Sequence, residues 1–564
     1  LIEAKFGTPT GFKERVLAIL TDSSTSLRTK LSVLGFNWVP LGNFWARGGE
    51  LQPHVVKVLE SLGIQPSKAV LQEYNQKTLY RSPRIFAPNF RSDMLLDYQK
   101  ESLDFCIKSG SGIVALDIGL GKTPLAIGYS DHLGLKNLVV CPASLRSQWD
   151  SELSKFNYKE PSKMVIDGTR AKRKQQWKES FNYQYVICSY DLLRQEVDLA
   201  SAKSYLQGGL LICDEIMRVK TSSSQRTKAI KDLRNSALYA IGLSGTPVEN
   251  NLAEFYTILN IVSPNFIPSY ERFAELFLVR ELRQGHNGRS YWQILGEKNV
   301  DEFRDLIKPL VIRKEKRECL SLPPASTVIR RVELSKEQKR IEKRLLELAK
   351  EDPDNVLKYF TYARENVISP DLVPVKVLEQ PMGLSLWGID EPLEYTPSKV
   401  EELLSGKIRP DQIELTPRLQ EVSDIICESG REKLIIYSPY VKSLEVIKRC
   451  ILKEPCSMLI GGCNVTSELE RFRSEENRIL LMSSAGEEGH NLQMASLMLV
   501  LSKPYNPAKL SQLFGRIERK GQSHPMTFYE LRSPSLIEAR INKILEKKEK
   551  LSERVLAKRV MEHE

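Results

Sequence analysis

Ten short apolar runs, in two blocks of five, most constrain what this chain can fold into. The first block lies between about Met94 and Asn251 and reads SGIVALD, NLVVCP, YQYVICS, GLLICDE and ALYAIGLSG. The second, from Arg418 to about Leu531, reads KLIIYSP, CSMLIGG, RILLMSS, LMLVLSK and MTFYEL. Each run is apolar at successive positions, so both of its faces must be buried, and helical stretches separate the runs. That alternation specifies parallel sheets covered by helices on both sides. At 564 residues the chain exceeds what one core usually serves, and three or four folding units are expected.

The remaining segments organise around these blocks. Residues 1–90 read as a small α+β domain, with a helix around Phe12 to Leu20, a hairpin in FNWVPLGNFWARGG turning at Gly42-Asn43, and a helix from Pro53 to Leu62. Phe36, Trp38, Phe44 and Trp45 fit a nucleic-acid stacking platform or the core of this domain. A unit this small needs its aromatics inside, which favours the core. Residues 91–251 form the first α/β lobe, 252–365 a helix-rich insertion, 366–417 a Pro-punctuated connector, 418–533 the second lobe and 534–564 a helix with interleaved Glu and Lys/Arg.

Composition narrows the setting. Lys and Arg exceed Asp and Glu to give a formal net charge of +11, which favours a polyanionic partner. The nine cysteines show no metal-site spacing. Cys456 and Cys463 are too far apart for a zinc knuckle, and a reducing, intracellular setting fits. No apolar run reaches the length of a membrane span, and no membrane partner is expected. The chain begins at Leu1 without Met, which reads as a trimmed chain or a fragment.

Chemistry first enters at GLGKT, Gly119 to Thr123, which follows the apolar strand Gly112 to Leu116 and opens a helical stretch. Strand, glycine loop, Lys-Thr, helix is the context of a phosphate cradle. Gly119 and Gly121, with Leu120 between them, let backbone N–H groups approach phosphates. Lys122 neutralises charge, and the Thr123 hydroxyl can ligate Mg²⁺. The first glycine of the full motif is missing; Leu116 stands there. A second strand ends in adjacent acids, Asp214 and Glu215. Beside a phosphate loop, such a pair suits a Mg²⁺-dependent ATPase, Asp214 holding the metal and Glu215 activating water.

With those residues in place, the chain over roughly 90–535 resembles helicase superfamily two, and within it the SNF-type DNA translocases. The likeness rests on LLDYQKESLDF, DIGLGKT, VVCPASLRSQWDSEL, VICSYDLL, DEIMRVKTSSSQRTKA and LSGTPVENNLAEFY in the first block. In the second it rests on KLIIYSPY, SSAGEEGHNLQ, YNP and QLFGRIERKGQ. GHNGRSYWQILGEKNVDEFRDLIKPLVIRKEK resembles the annealing-helicase branch that acts at stalled forks, and YFTYARENVISPDL is similar to viral members. The resemblance implies two RecA-like lobes, ATP and Mg²⁺ as cofactors, double-stranded or forked DNA as partner, and protein partners through the N-terminal domain. It implies that Gln99 reads adenine, and that Gln512, Arg516 and Arg519 face the nucleotide from the second lobe. A guanidinium fork there would stabilise charge on the phosphate oxygens.

The family pattern is not followed everywhere. Ile216-Met217 replaces Ala-His after the two acids. The His of the family pattern links the ATP site to the Ser-Gly-Thr loop, here Ser244, Gly245 and Thr246, and Met217 cannot donate that hydrogen bond. Retained hydrolysis with altered coupling is expected. Tyr505 replaces a Trp, Leu116 and Asp117 stand where both residues are often acidic, and Glu487 and Glu488 lie in a motif that lines the DNA track in the family. Expected phosphate-backbone contacts are Ser144, Ser189, Tyr190, Lys220 and Ser438, with the Arg170–Lys174 cluster read as a solvated surface loop. The leading function is an ATP-driven double-stranded DNA translocase that remodels DNA or DNA–protein structures. A strand-separating helicase, for which the sequence offers no identifiable wedge, and a non-catalytic ATP-gated scaffold are the alternatives.

Overall fold

The computed structural model describes residues 2–7, 16–20, 25–39, 44–47, 53–72, 85–246, 248, 250–284, 290–352, 355–374, 377, 398–484 and 492–556. The chain divides into two compact units, Leu1–Cys319 with Lys550–Glu564, and Leu320–Glu549.

The first unit opens with a five-stranded sheet of β1 (Ile2–Gly7), β2 (Val16–Leu20), β3 (Asn37–Val39), β4 (Phe44–Arg47) and β5 (Ile64–Pro66), in the order β3-β4-β2-β1-β5. The expected hairpin is present as the antiparallel β3–β4 pair, while its Gly42-Asn43 turn lies outside the described residues. The expected helix over Phe12 to Leu20 is corrected. Val16–Leu20 is a strand, paired on both sides by β1 and β4. A Val-Leu-Ala-Ile-Leu run satisfies either period, and tertiary pairing decides it. Phe36 and Trp45 are buried with Leu31, Val56 and Leu59, so for these two aromatics the core reading holds. The side chains of Trp38 and Phe44 lie outside the described residues.

This small domain is not a separate body. Its core is continuous with the helices Leu252–Val262, Tyr270–Phe277 and Val300–Ile307, where Phe255, Phe273, Phe277 and Phe303 pack edge to face and tilted. Arg272 Nη1 donates to Ser32 O at 3.2 Å, Arg47 Nη2 donates to Asn265 O at 3.2 Å, and Lys30 pairs with Asp305 at 3.7 Å.

The main sheet of the first unit contains β6 (Gly112–Leu116), β7 (Asn137–Cys141), β8 (Lys163–Val165), β9 (Tyr185–Ser189), β10 (Gly209–Asp214) and β11 (Ala237–Leu243). All five expected runs are strands here, and every pairing in the sheet is parallel. The helix-rich reading of 252–365 needs correction. It contains an antiparallel hairpin of β12 (Leu278–Gln284) and β13 (Ser290–Glu297), and also β14 (Val311–Lys314), which joins the first sheet beside β6. The sheet order is β14-β6-β11-β10-β7-β9-β8.

The second unit holds a six-stranded, wholly parallel sheet. Its strands are β15 (Ala325–Arg331), β16 (Leu434–Tyr437), β17 (Cys456–Leu459), β18 (Ile479–Met482), β19 (Leu497–Val500) and β20 (Met526–Arg532), in the order β15-β20-β19-β16-β18-β17. β15 comes from the stretch read as helical insertion and closes the edge beside β20. The segment read as a connector contributes Ile368, Leu372, Val400 and Leu403 to the core, and residues 378–397 lie outside the described residues.

Arg418, at the start of the Pro417–Glu428 helix, is 1% exposed and ties this unit together. Its guanidinium donates to Leu501 O at 3.1 Å and Leu531 O at 3.0 Å and pairs with Glu538 at 2.8 Å. Removing one partner of such a buried pair strands the other and two carbonyls. Arg418→Ala is therefore expected to destabilise the chain by about 3–5 kcal/mol, read as a lowered urea midpoint. An unchanged midpoint would show that water replaces the arginine at no cost.

Candidate functional site

Parallel pairing puts the C-terminal ends of all strands at one edge of a sheet, and ligand sites of open α/β sheets form there. In the first unit β11 lies between β6 and β10. Three segments therefore leave the sheet side by side: the glycine loop after β6, the Ser-Gly-Thr loop after β11 and the acid pair at the end of β10. Register confirms the alignment, with Asp214 opposite Leu243. Ser244 N donates to Val114 O at 3.1 Å.

The glycine loop is built for close approach. Gly119 and Gly121 have φ of 88° and 74°, left-handed values open to glycine at no steric cost. A Cβ on Gly121 would collide with the Gln99 amide. Lys122–Leu133 is helical, and no side chain caps its N-terminus, so the first-turn N–H groups are not engaged by a cap. Lys122 Nζ rests on Leu116 O at 3.1 Å, and Thr123 lies half-buried in the same first turn. Gln99, buried, donates from Nε2 to Leu120 O at 3.0 Å and accepts from Leu96 N at 2.9 Å. In this arrangement Gln99 braces the loop, helped by Tyr98, whose hydroxyl donates to the same carbonyl at 3.1 Å.

Asp214 is 6% exposed. Trp149 Nε1 donates to its Oδ2 at 2.8 Å and Glu215 N donates to its Oδ1 at 3.0 Å. Burial, and then the charge of Glu215, push its pKa up to about 6, against the pull of Trp149 and the nearby Lys122 charge. Glu215 is half-buried and left-handed, at φ 50° and ψ 55°. A non-glycine residue there costs about 1 kcal/mol, and such strain concentrates at functional positions. Oxygen donors only, from Asp214 and Thr123, fit a hard cation such as Mg²⁺, which takes one or two carboxylates and completes its shell with phosphate and water. Among the described residues no cluster of three or more His, Cys, Asp or Glu forms a protein-only metal cage.

Sequence reasoning missed three supporting residues. Trp149 was present in the quoted VVCPASLRSQW stretch, but its part follows only from its approach to Asp214. Tyr98 adjoins Gln99. Arg313, on β14, donates to Ala115 O at 3.2 Å and Gly245 O at 3.1 Å and pairs with Asp117 at 2.6 Å. It thus braces the phosphate-loop strand and the Ser-Gly-Thr loop at once. In that loop Ser244 is fully buried and its Oγ accepts from Thr246 N at 3.1 Å, while Thr246 Oγ1 is buried with no hydrogen-bond partner among the described residues. Ile216 and Met217 are buried in the hydrophobic core, Ile216 against Gly242. They fill volume where a linking side chain was expected.

The expected nucleic-acid contacts divide. Ser144 is exposed. Lys220 is partly exposed and pairs with Glu254 at 3.3 Å. Ser189 and Tyr190 are both buried, and the Tyr190 hydroxyl donates inward to Asp214 O at 2.8 Å, so it supports the acid strand. Ser438 is likewise buried, bonded to Ser443 Oγ at 2.7 Å. The Arg170–Lys174 cluster is corrected from loop to helix, within Arg170–Glu179, and Arg173 is buried against Asp198 at 3.0 Å. In the second unit Gln512 is half-buried on the Pro507–Phe514 helix and Arg516 is 8% exposed. Arg519 Nε donates to Gly515 O at 2.8 Å. Burial first, and then Arg516, lower the Arg519 pKa to about 10, which still leaves it charged at neutral pH. Glu487 and Glu488 lie outside the described residues.

The profile of the SNF2-related domain matches residues 98–380, just over half of the chain. The chain belongs to the SNF2-related family. A helicase conserved C-terminal domain follows at 417–521. Among curated relatives of this SNF2-related protein, the ATP-dependent DNA helicase DDM1 of Arabidopsis thaliana is 26% identical over 526 residues, 85% of this chain and 64% of that protein. The human DNA repair and recombination protein RAD54-like is 26% identical over 497 residues, 80% and 64% respectively. The uncharacterised ATP-dependent helicase MG018 of Mycoplasma genitalium is 24% identical over 495 residues, 84% and 43%. The chain spans about half to two thirds of the length of these relatives. The Sulfolobus solfataricus SWI2/SNF2 ATPase core in complex with double-stranded DNA is 20% identical, with a TM-score of 0.37, covering 81% of this chain and 91% of that one.

Burial of Asp214 has a measurable consequence. A carboxyl whose pKa rises from 3.8 to about 6 on folding favours the fold only while protonated. Its stabilisation, complete below 3.8, is lost as pH rises through about 6, so at pH 8 the ionised group opposes folding. Asp214→Asn should raise the stability of the ligand-free protein at pH 8 by up to about 3 kcal/mol, with the gain vanishing toward pH 4. A melting temperature at pH 8 equal to or below the parent's would contradict this.

Proposed function

We propose that the chain is an ATP-dependent translocase on double-stranded DNA that remodels DNA or the complexes on it. The observation that carries this reading is the adjacency of three strand ends: a phosphate loop, a Ser-Gly-Thr loop and a buried Asp beside a Glu. Family membership supports ATP use, and the net charge of +11 supports a polyanionic track.

In this reading the Lys122–Leu133 N-terminus and Lys122 hold the β- and γ-phosphates. Thr123 and Asp214 would hold Mg²⁺, which supplies charge neutralisation on the phosphate oxygens when bound. Asp214 ionises with an apparent pKa of about 6, so it is a carboxylate at neutral pH. Trp149 fixes its orientation from behind. Glu215 accepts the proton of the attacking water. Gln99 sets the loop and, with Gln512, recognises the nucleotide. Arg516 and Arg519 stabilise charge developing on the transferred phosphoryl group. Arg519 stays cationic at neutral pH. Ser144 and Lys220 contact the DNA backbone, which predicts affinity that falls with salt and varies little with sequence.

Ile216-Met217 bears on coupling and leaves the chemistry intact. Both carboxylates stand outside that apolar pair. Ser244 to Thr246 is fixed by Val114, Arg313 and its own backbone, which supports signalling to the nucleotide by Arg313 in place of a histidine. Fork remodelling or strand annealing is the finer form of the activity that the annealing-branch resemblance suggests.

Steady-state ATP hydrolysis with and without duplex DNA tests the reading. The parent should be stimulated by duplex, and Arg519→Ala should lower the stimulated kcat by about 10²–10³-fold while ATP affinity changes far less. An Arg519→Ala rate equal to the parent's, or a parent indifferent to DNA, would overturn it. Met217→His separates coupling from chemistry. Hydrolysis in the parent should already be measurable, and a parent inactive until this substitution is made would favour a scaffold.

A further inference from the structure

The β12–β13 hairpin sends Leu278 and Ile294 to the core of the first unit but carries five further large apolar side chains that this core does not cover. Val279, Leu282, Tyr291, Trp292 and Leu295 all stand exposed on it. Trp292 is 53% exposed and Tyr291 52%, whereas Trp45, Trp149 and Trp177 are buried. Ordinary folding economy puts such rings inside.

Their placement is specific. Adjacent residues of a strand point to opposite faces, so Trp292 and Tyr291 display one aromatic ring on each side of the same ribbon. Each ring has an arginine across the strand pair. Leu282 lies directly opposite Trp292, and Arg280, two residues on along the same face, sets its guanidinium 4.7 Å from the Trp292 ring centre. Arg280 is held there by Glu271 at 3.0 Å, with its side chain only 9% exposed. On the other face Arg283 is the direct partner of Tyr291 and is itself paired with Glu281 at 2.9 Å. Trp292 thus carries an arginine on its ring and still leaves about half of its surface exposed.

We infer that this hairpin is a two-faced stacking blade for unpaired nucleobases at a junction between duplex and single-stranded DNA. The inference rests on the translocase reading above. A globular protein partner would cover one side of a ribbon, leaving the second ring in water. Two strands that part at a junction present bases to both sides. Rings of every base can stack on Trp or Tyr, so the contact is sequence-tolerant, and an arginine beside each ring adds cation–π attraction. The blade supplies the wedge-like element that the sequence alone did not reveal.

The test uses the full chain, a labelled blunt duplex and the same duplex ending in two single-stranded arms. The parent should bind the forked DNA more tightly than the blunt one. Changing both rings, Tyr291→Ala with Trp292→Ala, should weaken fork binding by about tenfold or more. Blunt-duplex binding and blunt-duplex-stimulated ATP hydrolysis should stay within about twofold, which also reports that the variant is folded. Tyr291→Phe with Trp292→Phe should retain the fork preference, because stacking needs the ring and not its polar atom. A parent without fork preference, a double-alanine variant that holds forks like the parent, or equal losses on fork and blunt DNA would each overturn the blade. Absence of DNA-stimulated hydrolysis in the parent would instead overturn the translocase reading beneath it.

Discussion

A carboxylate kept out of water is the constraint around which the first unit is organised. Asp214 ends a fully buried strand, is oriented by the Trp149 indole and shares its surroundings with Lys122 and Glu215. Left to itself this arrangement costs folding energy, because an ionised aspartate in a low-dielectric site loses hydration that one indole N–H and one backbone N–H do not fully replace. The cost makes sense when a cation and a triphosphate complete the electrostatics. A buried acid binds a metal more strongly than a solvated one, since charge interactions strengthen as water is excluded.

The rest of the sheet follows from placing that acid. A parallel arrangement is needed so that the phosphate loop and Asp214 leave the same edge, and β11 between them makes the Ser-Gly-Thr loop the natural link. Arg313 then spans the link from β14, touching the carbonyl of Ala115, the carboxylate of Asp117 and the carbonyl of Gly245. Because a guanidinium presents five donors in a fixed planar fork, one side chain can hold two carbonyls and a carboxylate in register. Ile216 and Met217 close the underside with apolar volume. In this chain an arginine on the strand beside the phosphate strand ties that strand to the Ser-Gly-Thr loop.

Much of this was legible in the amino-acid order. All ten apolar runs are strands, because a strand buried on both faces leaves a continuous hydrophobic signature that few other elements share. The loop at Gly119 to Thr123 and the pair Asp214-Glu215 stand out by their local spacing, and the sheet order brings them to one edge. What local spacing does not encode was read less well. Val16–Leu20 fits two periods, and only its neighbours β1 and β4 settle it as a strand. The β12–β13 hairpin is hidden because its strands carry polar and apolar residues on both faces, and β14 and β15 were absorbed into a helical reading because each is recognised through a partner far away in sequence. Tyr190 and Ser438 look like phosphate donors by their position after strands, yet their hydroxyls turn inward, and burial cannot be read from a motif. Trp149, Tyr98 and Arg313 matter through tertiary approach alone.

The account stands on Glu215 acting on water while Asp214 and the glycine loop hold the nucleotide. Single-turnover phosphate release with duplex DNA, comparing the parent with Glu215→Gln, measures this directly. The account predicts a loss of about 10²–10⁴-fold in the hydrolysis step with ATP still bound at near-parental affinity. Release at the parental rate would contradict it.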